Sequence, residues 1–316
     1  MGDPRTFTAE WAKAIGRVGI DRASLGVQSF APHCQQAIGR IQPESLIERS
    51  VSLLRDNGVS SLNFDLMYGL PDQSREDLHD SLERSLSLGP DRIALFGYAH
   101  VPHLIPRQRV IDGNALPGPA DRFAMASLGH ELLACYGYRA IGFDHFAKPG
   151  DPLAQAAATG KLRRNFQGFT DDQSFTLIGL GSSAVSSFAN LLVQNEKNSG
   201  RYRMLASQGR LTTSVGVSRS TDDQLRGRLI ENLLCHGLTA IPRSMSRFVS
   251  ETLKPFIDRQ LVSFDGDQLL IRSEGLPYTR TIAASFDSYR VRWRKPDHRC
   301  RTALSVGQRG PGTRRD

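Results

Sequence analysis

Strand-like and helix-like segments alternate along the first half of this 316-residue chain, and this alternation limits the folds available to it. Strand-like runs cover residues 23–30, 61–68 and 92–100, and each is followed by a helix-like run. Two strands joined through a helix run parallel in one sheet, because the helix must pack back onto the sheet's face. The sequence therefore predicts an α/β fold with a parallel sheet and outer helices.

Start and stop residues place the helices of this half. Pro43 opens a helix that Gly58 ends, and Ser74 with Asp77 forms a capping box at the start of the next helix. A third helix is predicted over residues 119–136, and a further strand over 139–146. Ligands of such sheets bind at the carboxyl ends of the strands, so residues there become candidates for a site.

The last third of the chain has a different pattern. Helices are predicted over residues 221–235 and 248–262, followed by a hairpin-like turn at 263–268 and a short strand at 269–271. We therefore expect an α/β domain over residues 1–215, a small, mainly helical domain with a hairpin over 216–289, and a basic tail over 290–316.

The net charge of +8 is concentrated in that tail. Residues 290–316 hold nine basic and two acidic residues, so the tail carries +7 and the preceding 289 residues carry +1. The tail has few large apolar residues and no periodicity, which predicts disorder. The body has no global basic field for a polyanion, so nucleic acid is not an expected partner.

The four cysteines are far apart, at positions 34, 135, 235 and 300. Cysteines that hold an iron–sulfur cluster are usually a few residues apart, so we expect no metal ligand set in this chain. Residues 173–195 contain no charged side chain, but their serines make them too polar to span a membrane. We expect a cytoplasmic protein that does not bind membranes.

Two motifs carry a family resemblance. Residues 142–149 read Gly-Phe-Asp-His-Phe-Ala-Lys-Pro, and residues 163–170 read Arg-Arg-Asn-Phe-Gln-Gly-Phe-Thr. Together with the segments 24–30, 39–40, 65–71 and 96–100, they resemble the oxygen-independent coproporphyrinogen III oxidase (dehydrogenase) family of radical S-adenosylmethionine enzymes. The resemblance covers residues 1 to about 240 and implies haem biosynthesis as the pathway.

The resemblance implies a set of S-adenosylmethionine-binding residues: Gln28, Arg40, Asp65, Phe96, Ala99 and Val185. Asp65 lies between Phe64 and Leu66 in an apolar strand, so its carboxylate needs a buried donor. A ribose hydroxyl or a neighbouring side chain would supply one. Arg40 by itself also fits an ordinary surface salt bridge, and Phe96 fits a core aromatic.

The substrate candidates are His145, Arg164, Asn165 and Gln167. Coproporphyrinogen carries four propionates, and a body of charge near +1 can recognise them only through local guanidinium groups. We therefore favour Arg164, although a pair of surface arginines is the alternative at 163–164. His145 in an apolar strand also fits a core histidine. No catalytic residue is assigned.

In the family, a partial (β/α)6 barrel binds S-adenosylmethionine and a [4Fe-4S] cluster held by three cysteines near the N-terminus. By resemblance, this chain corresponds to the C-terminal half of that barrel with its sheet extension, and Met1 takes the place of a family glutamate. We expect an N-terminally truncated fragment, inactive by itself and lacking the cluster ligands, through a misassigned start or an incomplete gene. A separate N-terminal half or an electron donor is the expected partner.

The family reaction converts propionates of coproporphyrinogen III to vinyl groups, giving protoporphyrinogen IX. Two alternatives are a haem-binding chaperone of the related radical family and a non-catalytic tetrapyrrole-binding remnant. The chaperone type reads His-Asn-x-x-Tyr-Trp where this chain has Arg164-Asn165-Phe166-Gln167-Gly168-Phe169, and this departure favours the dehydrogenase type.

Overall fold

A computed structural model describes residues 3–292 of the chain. They form two compact units, the first reaching Leu162 and the second beginning at Arg163. The domain boundary predicted after residue 215 is not where these units divide, and it stays a prediction. The predicted disordered tail falls almost wholly on residues 293–316, which lie outside the described residues.

The first unit alternates strands and helices as the pattern predicts. Its strands are β1 Arg22–Gln28, β2 Ser61–Tyr68, β3 Arg92–Gly97, β4 Arg139–Ile141 and β5 His145–Ala147. Its helices are α1 Ala9–Arg17, α2 Pro32–Ala37, α3 Glu44–Asp56, α4 Arg75–Ser87, α5 Pro119–Cys135 and α6 Pro152–Ala158, with 3-10 turns at Pro4–Thr6, Pro106–Val110 and Gly113–Ala115.

The five strands form one sheet in the order β1-β2-β3-β5-β4. The prediction of parallel pairing is confirmed for β1, β2 and β3. It is wrong for residues 139–146, which form two short antiparallel strands rather than one. Gly142 turns the chain between them with a φ of +62°, a conformation that glycine adopts without strain.

Local sequence explains where the helices begin. The capping box of Ser74 and Asp77 is present at the start of α4, where each side chain accepts a hydrogen bond from the other's backbone N–H. Pro43 precedes α3 as its cap rather than as its first residue. The order of strands and helices is therefore encoded mainly by short-range patterns.

The two faces of β1–β3 differ in chemistry because successive side chains point to opposite faces. Leu25, Phe64 and Ile93 lie on one face, fully or almost fully buried in an apolar core with residues of α3, α4 and α5. The opposite face, here called the polar face, carries a different set of side chains: Ser24, Gly26, Ser61, Asn63, Asp65, Arg92, Ala94 and Phe96.

The second unit contains three antiparallel sheets. Its strands are β6 Arg163–Asn165, β7 Gly168–Thr170, β8 Val185–Ser187, β9 Leu191–Asn195, β10 Thr213–Ser218, β11 Leu238–Ala240, β12 Val262–Asp265 and β13 Gln268–Ile271. They pair as β6-β7, β10-β9-β8 and β11-β13-β12. Its helices are α7 Ser199–Ser207, α8 Thr221–His236, α9 Ser246–Thr252, α10 Lys254–Ile257, α11 Thr279–Ala284 and α12 Ser288–Arg292, with 3-10 turns at Arg243–Met245 and Ser273–Tyr278.

The single helix predicted over residues 248–262 is wrong. The chain forms α9 and α10 there, and β12 begins at Val262. Pro255 lies in the first turn of α10 and has no N–H to continue a preceding helix, so the chain breaks before it. The predicted helix over residues 221–235 is confirmed as α8, which Gly237 ends with a φ of +69°.

Within residues 3–292, every helix is too short or too polar to cross a bilayer.

Candidate functional site

The carboxyl end of β1 departs from regular strand geometry at Gln28. The β1–β2 register shifts between Gly26 and Gln28, which leaves Val27 as the extra residue of a bulge. Gln28 has a φ of +71°, a left-handed conformation that is uncommon for a residue other than glycine. Its side chain is almost completely buried, and its Oε1 has no hydrogen-bond partner among the described residues. Strained backbone of this kind is frequent at ligand sites.

Two buried glutamines stabilise this irregular end. Gln42 donates from Nε2 to the carbonyls of Gly26 and Val27, at 3.2 and 3.3 Å. Gln35 in turn donates from its Nε2 to the carbonyls of Ser29 and Gln42, and its Oε1 accepts from the Gln42 backbone N–H at 2.8 Å. The backbone groups freed by the bulge are thus satisfied by side chains instead of by a neighbouring strand.

Gly26 provides space for the Arg40 guanidinium. A Cβ atom at Gly26 would lie 2.8 Å from Arg40 Nη2 and 2.9 Å from Gln28 Nε2, closer than real Cβ contacts. No positive φ requires glycine at this position, so the requirement is for space. The glycine therefore brings the predicted site residues Gln28 and Arg40 together over one point of the polar face.

Arg40 has only weak internal compensation for its charge. Its Nη2 lies 3.6 Å from Asp3 Oδ2, and its buried Nε has no partner among the described residues. The pKa of Asp3 is lowered chiefly by the hydrogen bond from Arg5, with a smaller contribution from the Arg40 charge. Arg5 is therefore the main partner of Asp3, and Arg40 can still bind an anionic group.

Asp65 lies on the polar face of β2 and is 6% exposed. Its Oδ2 accepts from Ser24 Oγ at 2.9 Å, and its Oδ1 accepts from Asn63 Nδ2 at 2.7 Å. Burial raises the pKa of this carboxyl, while the two hydrogen bonds and nearby His145 oppose the rise. Neighbouring side chains thus supply the buried donors that the sequence requires, and contact with a ribose hydroxyl stays a prediction.

The strand register places His145 in line with Asp65. Gly26 pairs with Asp65, Asp65 with Ala94, and Ala94 with His145. His145 Nδ1 lies 2.6 Å from Asp144 Oδ1, an arrangement that orients the imidazole ring. The ring also meets Phe96 edge-to-face at a centroid distance of 5.6 Å. His145 and Phe96 are thus half-buried residues beside the site.

Ala99 differs from the other candidates in the first unit. It is exposed and lies two residues beyond the end of β3. Its carbonyl accepts a hydrogen bond from Gln108 Nε2 at 2.9 Å, which ties the loop after β3 to the following 3-10 turn. Its predicted role stays a prediction.

The substrate candidates of the second unit lie on the β6–β7 hairpin. Glu231 of α8 accepts through one oxygen from Arg163 Nε at 2.7 Å and from the Arg164 backbone N–H at 3.1 Å. The guanidinium carbon of Arg164 lies 5.4 Å from the centroid of the Phe169 ring. Asn165 Oδ1 accepts from the Gln167 backbone N–H at 2.8 Å and so shapes the turn, where Gln167 is exposed.

Val185 is the remaining cofactor candidate and belongs to the second unit, in β8. A Cβ atom at Gly179 would lie 2.6 Å from the Val185 carbonyl oxygen, so the preceding loop can approach this strand only with glycine. The role of Val185 in cofactor binding stays a prediction.

The described cysteines do not form a cluster site. Cys34 and Cys235 are buried, Cys135 is exposed, and the two buried thiols have pKa values raised to about 12 by burial. His33, Cys34 and Asp77 do approach one another closely enough for a metal ion. However, this group offers a single cysteine where an iron–sulfur cluster needs several, and Asp77 already serves the capping box of α4. The residues 3–292 therefore do not fit a [4Fe-4S] cluster.

Sequence reasoning missed four residues around the site: Ser24, Gly26, Gln42 and Asn63. The signal was present in β2, where Ser61, Asn63 and Asp65 alternate with apolar residues. That alternation marks a polar face rather than a strand that is buried among helices on both sides. Gln42 had no comparable signal, because its partners are 15 and 16 residues away along the chain.

Comparison with known proteins identifies relatives of this chain. Residues 3–84, which contain the polar cluster around Gly26 and Asp65, match the model of the radical SAM superfamily. The coproporphyrinogen III oxidase (HemN) of Escherichia coli, a radical SAM enzyme, superimposes with a TM-score of 0.81 at 32% identity, covering 91% of this chain and 68% of that one.

Curated relatives extend this likeness. The oxygen-independent coproporphyrinogen III oxidases of Paracoccus denitrificans and Bradyrhizobium diazoefficiens are 41% and 42% identical over 299 and 300 residues. The fold and the matched residues define a radical SAM protein. This chain belongs to the oxygen-independent coproporphyrinogen III oxidase family, and it spans 65–66% of the length of these two relatives.

Members of the radical SAM superfamily use S-adenosylmethionine and a [4Fe-4S] cluster, and the prediction of the family and its cofactors is confirmed.

Proposed function

We propose that the first unit binds S-adenosylmethionine on the polar face of its sheet, and that the chain serves the oxidative decarboxylation of coproporphyrinogen III. The observation that carries this proposal is the convergence of Gln28 and Arg40 over Gly26, beside the buried Asp65. The names of the curated relatives support the reaction.

The residues present fit the chemistry of S-adenosylmethionine. Arg40 offers a guanidinium to the carboxylate of the amino acid moiety. An ionised carboxylate has about four acceptor positions, and Asp65 uses two of them to accept hydrogen bonds from Ser24 and Asn63. Its remaining acceptor positions can accept hydrogen bonds from ribose hydroxyls. The unpartnered Oε1 of Gln28 would accept a further N–H or O–H donor.

S-adenosylmethionine supplies radical chemistry in this family, and the protein supplies binding, orientation and exclusion of water. Each propionate that becomes a vinyl group loses carbon dioxide, a proton and a pair of electrons, so the reaction also needs an electron acceptor as co-reactant. Because the described residues do not fit the cluster, no step through it is assigned to this chain. The contribution assigned to residues 3–162 is to hold and orient the nucleoside.

For the tetrapyrrole, we assign propionate contacts to Arg164, with Asn165 and Gln167 on the same hairpin. In the first unit, His145 stays a predicted substrate contact. The support for Arg164 is that Glu231 holds the backbone of Arg164 while pairing with the neighbouring Arg163. Arg163 is therefore engaged by a carboxylate, and the guanidinium of Arg164 lies over the Phe169 ring.

We also assign a cytoplasmic location to the protein, and an electron donor as its partner.

Binding of S-adenosylmethionine tests this function directly. Isothermal titration calorimetry on the full chain should detect binding by the wild type. Arg40→Gln and Asp65→Asn should each weaken it roughly 10- to 100-fold, because each removes charge-assisted hydrogen bonds. Arg75→Gln and Asp80→Asn make the same chemical changes on the exposed surface of α4 and should leave affinity unchanged.

A wild type that does not bind, or that binds with affinity indifferent to both site variants, contradicts the proposal. A further comparison uses adenosine and 2′,3′-dideoxyadenosine as probes. We expect Asp65→Asn to weaken the binding of adenosine but not of 2′,3′-dideoxyadenosine. The dideoxy compound lacks the ribose hydroxyls that would donate hydrogen bonds to the carboxylate.

A further inference from the structure

Three polar side chains form a closed triangle on the polar face. Ser24 Oγ donates to Asp65 Oδ2 at 2.9 Å, and Asn63 Nδ2 donates both to Asp65 Oδ1 at 2.7 Å and to Ser24 Oγ at 3.1 Å. Each member comes from β1 or β2, and Ser24 pairs with Asn63 in the parallel register. Rigid strands therefore hold all three side chains.

The triangle engages both oxygens of Asp65 with neutral donors only. Neither Ser24 nor Asn63 carries charge, so the pair stabilises the carboxylate through hydrogen bonds rather than through an ion pair. The orientation of the Asn63 amide follows from the network, because the reversed orientation would set its oxygen against the carboxylate. Its Oδ1 is then buried without a partner among the described residues.

The charged and titratable groups around Asp65 compensate its charge less than the two neutral donors do. Arg40 lies over Gly26, the residue that pairs with Asp65 in β1. Arg92 of β3 donates to Asp151 from Nε at 2.8 Å. His145 of β5 is held by Asp144, and its effect on the Asp65 pKa is smaller than that of either hydrogen bond. The two neutral donors are therefore the main compensation for burial of the Asp65 charge.

We propose that Ser24 and Asn63 are positioning residues that keep the Asp65 carboxylate ionised and aimed, so that it can accept hydroxyl groups from a ribose. This role rests on the proposed function, since it assumes a nucleoside ligand at Asp65. Neither residue is required to touch the ligand.

The sign of the expected change follows from the physical causes. Burial holds the Asp65 pKa above its ordinary value of 3.8, and the Ser24 and Asn63 hydrogen bonds oppose that rise. Removing the hydrogen bond from Ser24 or Asn63 leaves the desolvation of the Asp65 carboxylate less compensated, so the pKa of Asp65 should rise further. A protonated Asp65 then becomes common at a higher pH, and it offers fewer acceptor positions to a diol.

The test measures the titration of Asp65 and the binding of S-adenosylmethionine in the same proteins. Carbon-13 NMR of aspartate-labelled full chain follows the carboxyl signal, which is assigned by its loss in Asp65→Asn. Ser24→Ala and Asn63→Ala should move its midpoint upward. Each variant should also weaken the binding of S-adenosylmethionine about fivefold at neutral pH, because it loses a hydrogen bond, and the loss of affinity should grow as the pH falls.

Two matched variants separate positioning from a general structural effect. Ser24→Thr keeps the hydroxyl and should restore both the midpoint and the affinity. Ser61→Ala removes a buried serine from the same strand face, but its Oγ donates to Asp151 at 3.1 Å. It should lower stability while leaving the Asp65 midpoint and the affinity unchanged.

The outcomes are distinguishable. Wild-type binding with an unmoved Asp65 midpoint in Ser24→Ala and Asn63→Ala overturns this inference and leaves the proposed function intact. A moved midpoint without a change in affinity shows a role in stability only, and also overturns it. Failure of the wild type to bind overturns the proposed function, and the positioning role falls with it.

Discussion

Two buried carboxylates, one on the polar face of the sheet and one that contacts this face from the start of α6, are compensated in different ways. Asp151 accepts from the charged guanidinium of Arg92 at 2.8 Å to each oxygen, from Ser61 Oγ, and from the backbone N–H of Leu153. Asp65, which lies in β2 four residues beyond Ser61 on the same face, accepts from two neutral donors. Asp151 joins α6 to the sheet, whereas Asp65 keeps acceptor capacity for a ligand.

The difference offers a way to separate a structural carboxylate from one that is proposed to bind a ligand. A buried charge with a cationic partner and a helix cap has its desolvation offset within the fold. A buried charge that has only neutral donors keeps more of its desolvation cost uncompensated in the folded protein. Charged groups of this kind are concentrated at binding sites. The contrast should appear when the two sites are changed separately.

Asp151→Ala should produce the largest effect. It leaves Arg92 buried without its carboxylate and removes the cap of α6, so the free energy of unfolding should fall by about 3–5 kcal/mol. Urea denaturation followed by circular dichroism measures this loss. A loss no larger than that of Asp65→Ala would remove the contrast.

Gly26→Ala should affect the ligand more than the fold. The added Cβ meets the ends of two flexible side chains, Arg40 and Gln28, so the free energy of unfolding should change by less than about 1 kcal/mol. Displacing the Arg40 guanidinium should weaken the binding of S-adenosylmethionine roughly 10-fold. Gly227→Ala, at a helical position of α8 with open space around its Cβ, is the matched control in calorimetry.

Asp65→Asn should change how stability depends on pH. Because the folded pKa is raised above 3.8, the proton-linked stability from Asp65 is fully present below pH 3.8 and is lost as pH rises through the folded pKa. The variant should lack that decline, so its stability relative to the wild type should increase across this window. Parallel free energies of unfolding at several pH values would measure the trend, and an opposite slope would contradict the assignment.

Glu231→Gln should have the smallest effect. Its partner Arg163 is partly exposed, so the ion pair is screened by solvent and its loss should cost about 0.5–1 kcal/mol. The variant keeps an oxygen that can accept from the Arg164 backbone N–H. Thermal unfolding of this variant measures how far a partly exposed carboxylate differs from Asp151.

Short-range patterns in the sequence predicted much of the first unit. The bounds of β2 are as predicted, and the Ser74–Asp77 capping box is present, because both depend on residues only a few positions apart. The sequence pattern predicts one strand over residues 139–146, where the structure forms a hairpin, since a short apolar run does not reveal a glycine turn inside it. Helical spacing over residues 248–262 does not reveal the break that Pro255 causes before α10.

The candidate site was less predictable from the residues themselves. Family resemblance pointed to Gln28, Arg40 and Asp65, whereas periodicity placed them only near strand ends. The left-handed backbone of Gln28 depends on Gln35 and Gln42, whose side chains replace the missing strand hydrogen bonds. No local preference of glutamine predicts that conformation.

The sequence by itself determined the succession of strands and helices, the apolar face under the helices, and the family to which the chain belongs. These depend on the spacing of nearby residues and on motifs that can be read directly. Only the tertiary structure decided that Arg40 lies over Gly26 and that Ser24 and Asn63 hold Asp65. Except for the hydrogen bond from Asn63 to Asp65, which spans two positions, those contacts join residues 14 to 41 positions apart. They require the strand register and the bulge at Val27, which no local pattern encodes.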